Sequence, residues 1–380
     1  MSDIFPKGSA WMNGEFIQLS EAKIPILDWG FLRSDATYDV VHVWKGRFFQ
    51  LDKHIDRFFK STEKLRMPCR LSREEIKKIL AGCVKKADLK DSYVEMIQTR
   101  GMSPNFVRDP RKATPRFMAF AVPFGWILRP EDFERGLDVY LTDITRIPPR
   151  SVDPTIKNYH WMDLVTGMLD AYDKGHHTAI LVDEDNNVSE GPGFNIFSVD
   201  ENGINTPDHG VLEGITRQTV IDLAKELNIK VNKKPITIKM LKSSEELFAT
   251  STAGGVMPIT KISGKNINKG TAGDITRKIH KLYWEKHSDH CVDDVTVHVG
   301  LRLLFVGLPF VGREVFVVAA RSVKDDEGHV VGHGLCHDGS EPIRARPVVV
   351  SHQEHNPPVL MYLTTRVVVT PEPKSFVAFS

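Results

Sequence analysis

"DPTIKNYHWMDLVTGML", residues 153–169, sets an extended, proline-started segment directly against a run with helical spacing. A lysine, Lys157, stands just before the chain changes from extended to helical. Around this junction "LDVYLTDI", "TAILVDED", "GFNIFSV", "GINTP", "ELFATST" and "MPITKI" read as strands. Helical spacing recurs at about 160–174, 216–228 and 271–286, which predicts a mixed sheet flanked by a few helices. On the N-terminal side "WMNGEF" carries an Asn-Gly hairpin signal, and "HVWKGRFFQL" a second strand pair turning at Lys45-Gly46. Two helices follow. "DKHIDRFFKSTEKL", with an N-cap expected at Asp52, places Ile55, Phe58, Phe59, Thr62 and Leu65 on one face, and "REEIKKILAGCVKKA" repeats the pattern with Ile76, Ile79, Leu80, Cys83 and Val84. "SYVEMIQTRG" and "RFMAFAVPFGW" complete an α+β region as strands, and the proline-bearing stretch 122–131 is the expected boundary between domains.

The bulk numbers agree with this layout. The chain has 380 residues, 41% of them hydrophobic and 26% charged, enough for two ordinary soluble domains with their own cores. We expect a small domain over 1–125, a larger one over 126–290, and an extension over 291–380. Lysine plus arginine (50) nearly cancels aspartate plus glutamate (49), so no global field gathers nucleic acid or an anionic membrane. The expected partners are small molecules or another protein chain. Cys69, Cys83, Cys291 and Cys336 are scattered without CxxC pairing, which indicates neither a zinc ribbon nor a disulfide framework. A reducing compartment fits, and no targeting signal is visible at the N-terminus, so a cytoplasmic location is expected.

From about residue 291 the character changes to a valine-rich, aperiodic run broken by Arg302, Pro309 and Arg313, too short between breaks for a membrane helix. A β appendage and an aggregation-prone extension both remain open for this tail. The histidine-rich groups "HSDHC" (287–291) and "HVVGHGLCH" (329–337) have loosely metal-like spacing but lack a helix or strand frame; both read as solvated loops, and no metal is expected.

Four pieces carry chemistry only when taken together. Singly, Lys157 is one more solvated lysine, Glu190 in "VSEGPGFNIF" a turn residue, "EGITRQTVIDLAKEL" a helix start and "TSTAGG" (250–255) a loop. Combined, they could bind an anionic aldehyde. A helix opening at Gly214, Ile215 and Thr216 presents free backbone N–H groups, its positive dipole end and a hydroxyl, which suits a phosphate dianion. The hydroxyl-rich loop 250–255 could close on the same phosphate, its glycines admitting close approach. A lysine at a strand end, its pKa lowered by surroundings, could form a Schiff base. A carboxylate such as Glu190, aimed at a pyridine nitrogen, would keep that nitrogen protonated and the ring an electron sink. That is the chemistry of pyridoxal 5′-phosphate.

Residues 8–286 resemble the fold-type IV pyridoxal-phosphate transaminases. The resemblance rests on "LDWGFLRSDATYDVVHVWKGRFFQLDKHIDRF", "DPTIKNYHWMDL", "SEGPGFNIF", "TPDHGVLEGITR" and "TSTAGGVMPIT", in order along the chain. Within that class the sequence is most similar to (R)-selective amine transaminases, beside D-amino acid and branched-chain aminotransferases. The resemblance implies a mixed α/β, two-domain fold: a small N-terminal α/β sandwich and a larger, barrel-like C-terminal domain with flanking helices. It implies that Lys157 is the Schiff-base lysine, that Glu190 partners the pyridine nitrogen, and that Arg57, Ile215, Thr216 and Thr252 hold the phosphate. It also implies a homodimer with the active site at the subunit interface.

For the substrate pocket the resemblance points to Arg33, Tyr38, Val40, Tyr93, Glu95, Trp161, Ala253 and the loop around Arg108. Arg33 departs from the neutral residue common in amine transaminases, and an extra cation at the pocket mouth would favour a carboxylate. Arg108 or Arg111 could recognise a keto acid such as pyruvate. The activity implied is transfer of an amino group from a D-amino acid or (R)-primary amine to a 2-keto acid. The alternatives are an L-branched-chain aminotransferase, an aminodeoxychorismate lyase and a catalytically silent cofactor-binding protein.

Overall fold

The computed structural model describes residues 4–289 and short strands at 293–294, 316–324, 330–337, 348–350, 366–369 and 376–379, with side chains followed through His287. Residues Met1–Val299 form one compact unit and Gly300–Ser380 a second.

The first unit opens with the hairpin β1 (Ser9–Met12) and β2 (Glu15–Gln18), turning through Asn13 and Gly14, both at positive φ, as a tight two-residue turn requires. A short helix α1 (Trp29–Arg33) precedes β3 (Ala36–Trp44) and β4 (Arg47–Phe48), which turn at Lys45 and Gly46, again at positive φ. Helices α2 (Leu51–Lys64) and α3 (Arg73–Ala87) lead to β5 (Ser92–Met102) and β6 (Thr114–Pro123). These strands form one sheet in the order β4-β3-β5-β6-β1-β2, with the pair β15 (Asp293–Asp294) added beside β4. The helices cover one face. Ile55 and Phe58 of α2 and Ile76, Leu80 and Val84 of α3 pack with Val41, Val43, Val94 and Met96 in a single core. The opposite face, carrying Tyr38, Val40 and Tyr93 at the alternate positions, is left for the cavity described below. One boundary differs from the sequence reading: α2 starts at Leu51, behind Gln50 at φ 55, not at an Asp52 cap. Asp52 lies in the first turn instead, favoured there by the helix dipole and paired with Lys77 at 2.7 Å.

The second sheet comprises β7 (Leu137–Thr145), β8 (Thr178–Val182), β9 (Asn195–Asp200), β10 (Gly203–Thr206), β11 (Val231–Lys233), β12 (Glu246–Ser251), β13 (Gly255–Ile262) and β14 (Lys265–Asn266). It is mixed. β9, β10, β12 and β13 form antiparallel pairs, whereas β7 pairs parallel with β8 and β13, and β10 parallel with β11. α4 (Met162–Asp173) links β7 to β8, α5 (Ile215–Glu226) links β10 to β11, and α6 (Ile238–Lys242) precedes β12. α5 and α7 (Asp274–Asp289) bury Val220, Leu223, Ile279 and Tyr283 against Phe197 and Phe248, while Ile236 and Leu241 join the core with Ile196 and Ile259.

In the second unit β16 (Phe316–Lys324), β17 (Val330–His337) and β18 (Val348–Val350) make an antiparallel sheet, and β19 (Arg366–Val369) pairs with β20 (Phe376–Phe379). Both histidine-rich groups therefore differ from the solvated loops expected of them. His287 belongs to the last turn of α7, and residues 330–337 are strand. The rest of their side chains lie outside the described residues. Among the described residues no group of three or more His, Cys, Asp or Glu is placed to hold a metal.

Candidate active site

A cavity of about 260 Å³ is lined by β3 and β5, by Arg57 of α2, and by the loops that carry Lys157, Glu190, Leu212 and Thr252. Lys157 is not at a strand end as expected. It lies in the loop between β7 and α4, and its backbone is fastened to β3 across the molecule: its carbonyl accepts from Tyr38 N at 3.1 Å and from Thr37 Oγ1 at 2.7 Å. Asn158 forms a β-bridge with Thr37. Pro154 and an Asp153–Thr155 turn lead into this extended stub, which cannot slide without breaking both contacts. The side chain crosses the cavity over the Tyr38 ring, with Nζ at 4.4 Å from its centroid. Burial, and then the Arg57 guanidinium, lower the pKa of this amine to about 8, against the pull of Asp39, Glu95 and Glu190. A neutral amine is therefore accessible near physiological pH, as a nucleophile requires.

One end of the cavity is built to receive an anion. Gly214 caps α5 in extended geometry, so the first N–H groups, at Ile215, Thr216 and Arg217, have no carbonyl one turn back. A Cβ at 214 would meet Asn195 Oδ1 at 2.1 Å, so only glycine fits. Arg57 Nη1 donates to the Glu213 carbonyl at 3.2 Å, which holds the guanidinium beside the same helix start. Thr252 follows β12 in the opposing wall, its carbonyl held at 2.8 Å by the buried His42 ring. Thr250 Oγ1, buried in the wall, has no hydrogen-bond partner among the described residues.

At the other end sits Glu190, 7% exposed, between β8 and β9. Arg146 Nε donates to its Oε1 at 3.1 Å and Leu212 N to its Oε2 at 3.1 Å. Burial pushes the carboxyl pKa up, and Arg146 opposes that shift. Arg146 is itself held by Asp163 at 2.6 Å. Anion cradle, amine and buried carboxylate thus line one cavity in the arrangement a phosphorylated pyridine aldehyde needs, and the residues fit pyridoxal 5′-phosphate.

The expected substrate residues divide. Tyr38, Val40, Tyr93, Trp161 and Ala253 line the cavity. Glu95 is buried immediately behind, accepting from Tyr159 Oη, and Tyr159 stacks on Tyr38 at 4.4 Å between centroids. Arg33 and Arg108 do not reach this cavity. Both are exposed; Arg33 lies over its own helix's Trp29 at 4.2 Å, and Arg108 stands in the β5–β6 loop. Arg111, in the same loop, is paired with Asp109 at 2.8 Å. Trp29 holds Arg33 against its own helix, and Arg108 stands exposed in its loop, so neither is aimed inward. Reading the sequence alone does not single out Asp39, His54, Arg146, Tyr159 or Asp163. Tyr159 adjoins the lysine motif, but the ion pairs join residues far apart in the chain.

A lysine of lowered basicity in one cavity with an open helix start and a buried carboxylate suits a pyridoxal-phosphate enzyme. The family described as amino-transferase class IV matches residues 36–262, a span that includes Arg57, Lys157, Glu190, Thr216 and Thr252, and the chain belongs to that family. A putative branched-chain-amino-acid aminotransferase of Methanocaldococcus jannaschii is 32% identical over 276 residues, 72% of this chain and 94% of the relative. A D-alanine aminotransferase of Staphylococcus epidermidis is 29% identical over 288 residues, 73% of this chain and 98% of the relative. Among solved structures, the branched-chain aminotransferase of the thermophilic archaeon Thermoproteus uzoniensis with norvaline superposes with a TM-score of 0.68 at 27% identity, covering 73% of this chain and 93% of that one. The protein is a pyridoxal-phosphate-dependent aminotransferase, acting on amino and keto compounds.

Proposed function

We propose that the protein moves an amino group from a D-amino acid or (R)-primary amine to a 2-keto acid such as pyruvate, in a ping-pong cycle centred on Lys157. The observation that carries this choice of donor is Glu95. Its carboxyl is buried in the wall beside Lys157 and its oxygen is already an acceptor for Tyr159. Glu95 brings no cation to that side of Lys157, which supports an uncharged substituent there and leaves the carboxylate of an amino or keto acid to the other side.

In this reading Arg57, Ile215, Thr216 and Thr252 bind the phosphate, and Glu190, held by Arg146, faces the pyridine nitrogen. When bound, the cofactor supplies an aldehyde that takes up amines covalently and a protonated ring that accepts electron density. Lys157 would anchor it and, once freed, would use Nζ to take the proton from the substrate carbon that bears the nitrogen and deliver it to the former aldehyde carbon, the reverse transfer serving the keto acid in the second half of the cycle. A pKa near 8 suits both directions of transfer. Tyr38, Val40, Tyr93, Trp161 and Ala253 shape the substrate space and exclude water.

An L-branched-chain amino acid donor is the second reading, favoured by the apolar Val40 and Ile127 in the cavity wall and by the names of two of the relatives above. Mixing the purified holoprotein with D-alanine, (R)-1-phenylethylamine or L-leucine alone separates the two. Loss of the aldehyde-form absorbance with the first two and not with L-leucine supports the first reading; the reverse supports the second.

A homodimer is proposed on the apolar side chains exposed on α1 and α4: Phe31 (69%), Met162 (76%) and Leu169 (57%) among them. It would also give Arg33 and Arg108 a cavity to serve, in the partner. Sedimentation of the holoprotein as a monomer at micromolar concentration contradicts this.

A further inference from the structure

Asp39 is among the buried charged groups that the catalytic reading leaves unused. Asp39 lies at the middle of β3 with its side chain wholly out of solvent, on the face turned away from Tyr38 and Val40 and toward α2. Its carboxylate accepts four hydrogen bonds. Oδ2 receives Arg57 Nε at 2.7 Å, and Oδ1 receives Arg57 Nη2 at 2.9 Å, His54 Nδ1 at 2.8 Å and the Val40 backbone N–H at 2.8 Å. His54 and Arg57 are three apart on α2, so one helix face presents both to the same carboxylate.

A buried carboxylate is tolerated only when it is saturated in this way. Here two side chains of a single helix do most of the saturating, and the geometry fixes what remains of the guanidinium. The two-pronged contact with Asp39 locks the planar fork, and the third nitrogen, Nη1, points to Glu213, one residue before the open N-terminus of α5. Without Asp39 the arginine would recover most of its rotamer freedom. His54 holds Oδ1 from the other side and prevents the carboxylate from rotating with the arginine.

We propose that Asp39 and His54 are positioning residues: a buried clamp that aims Arg57 at the phosphate of the cofactor, so that retention of the phosphorylated cofactor depends on two side chains that never touch it. The proposal rests on the assignment of Arg57 to the phosphate, and the test separates the two ideas. Apoprotein of the full chain is titrated with pyridoxal 5′-phosphate and, separately, with pyridoxal, which lacks the phosphate. The proteins compared are wild type, Arg57→Ala, Asp39→Asn and His54→Gln, with circular dichroism and thermal melting of each apoprotein alongside.

The phosphorylated cofactor should bind Asp39→Asn about 10- to 100-fold more weakly, the scale of one misdirected charge-assisted hydrogen bond. His54→Gln should lose less, about 3- to 10-fold, because the arginine fork stays intact. Pyridoxal should bind all four proteins within about twofold, since its affinity carries no phosphate contact. A merely structural role would weaken both ligands together. If Arg57→Ala loses no preference for the phosphorylated form, the phosphate assignment itself fails. If Arg57→Ala loses that preference while folded Asp39→Asn and His54→Gln keep it, the assignment stands and the clamp is refuted. Should Asp39→Asn not fold, His54→Gln decides alone, by the same comparison of the two ligands.

Discussion

Where α5 opens onto the cavity the donors are backbone N–H groups and an arginine already locked by Asp39; around Lys157 the groups are aromatic rings on one sheet face, with Arg146 tied to Glu190 in the wall and Arg33 and Arg108 out on a short helix and a loop. The first end has little freedom, because Arg57 Nη1 bonds the Glu213 carbonyl at 3.2 Å and Asn195, bonded to the Leu212 carbonyl at 2.8 Å, leaves no room for a side chain at Gly214. At the second end the polar contacts converge on Glu95, from Tyr159 and Tyr93, and the rest of the wall is rings and aliphatic side chains. Rigid polar anchoring at one end and adjustable apolar walls at the other are what a family needs if it keeps one cofactor while changing substrates.

That contrast can be broken at several points. Lys157→Ala removes anchor and proton carrier together, so kcat should fall by at least about 10²- to 10⁴-fold in steady-state turnover. Normal turnover would leave the two-ended picture without its centre. Glu190→Leu keeps the volume but removes the buried charge, and kcat should fall about 100-fold while affinity for the cofactor's phosphate group changes little. Capture of the cofactor by apoprotein should follow the neutral fraction of the Lys157 amine. With a pKa of about 8 the rate rises roughly tenfold per unit as pH increases toward 8 and levels above it, as stopped-flow absorbance would read. A rise continuing to pH 10 would place the amine in ordinary solvent. Gly214→Ala forces a methyl onto Asn195 and should cost about 1–3 kcal/mol of stability, visible as a lower Tm. The smallest effect belongs to the exposed cations. Arg33→Ala or Arg108→Ala should raise the KM for pyruvate by about threefold to tenfold, as exposed cations serving the partner's cavity in the proposed homodimer would, and no change would show that neither reaches it.

The sequence was most legible where local chemistry decides. Asn13-Gly14 announced the first hairpin. The turn at Lys45-Gly46 and the open start of α5 at Ile215 were equally plain. Lys157 and Glu190 were recognisable through their neighbours in the chain. The ion pairs were not: Arg146 meets Glu190 across 44 positions and Arg57 meets Asp39 across 18, and no periodicity reports such a meeting. α2 begins on Gln50 in a left-handed conformation, which its side chain does not advertise, so Asp52 was the more natural cap to expect. Arg33 and Arg108 show the reverse problem. A matching position along the chain says nothing about which way an exposed side chain points, or in which subunit it works.

The central claim is that one amine, on Lys157, carries the cofactor. Reduction of the holoprotein with borohydride, digestion and mass mapping of the peptides addresses it without reference to turnover. The pyridoxyl mass should appear on the peptide containing residues 153–161, on Lys157 and at close to one equivalent per chain. The same mass on a different lysine, or on no peptide from a protein that has bound the cofactor, would contradict the account.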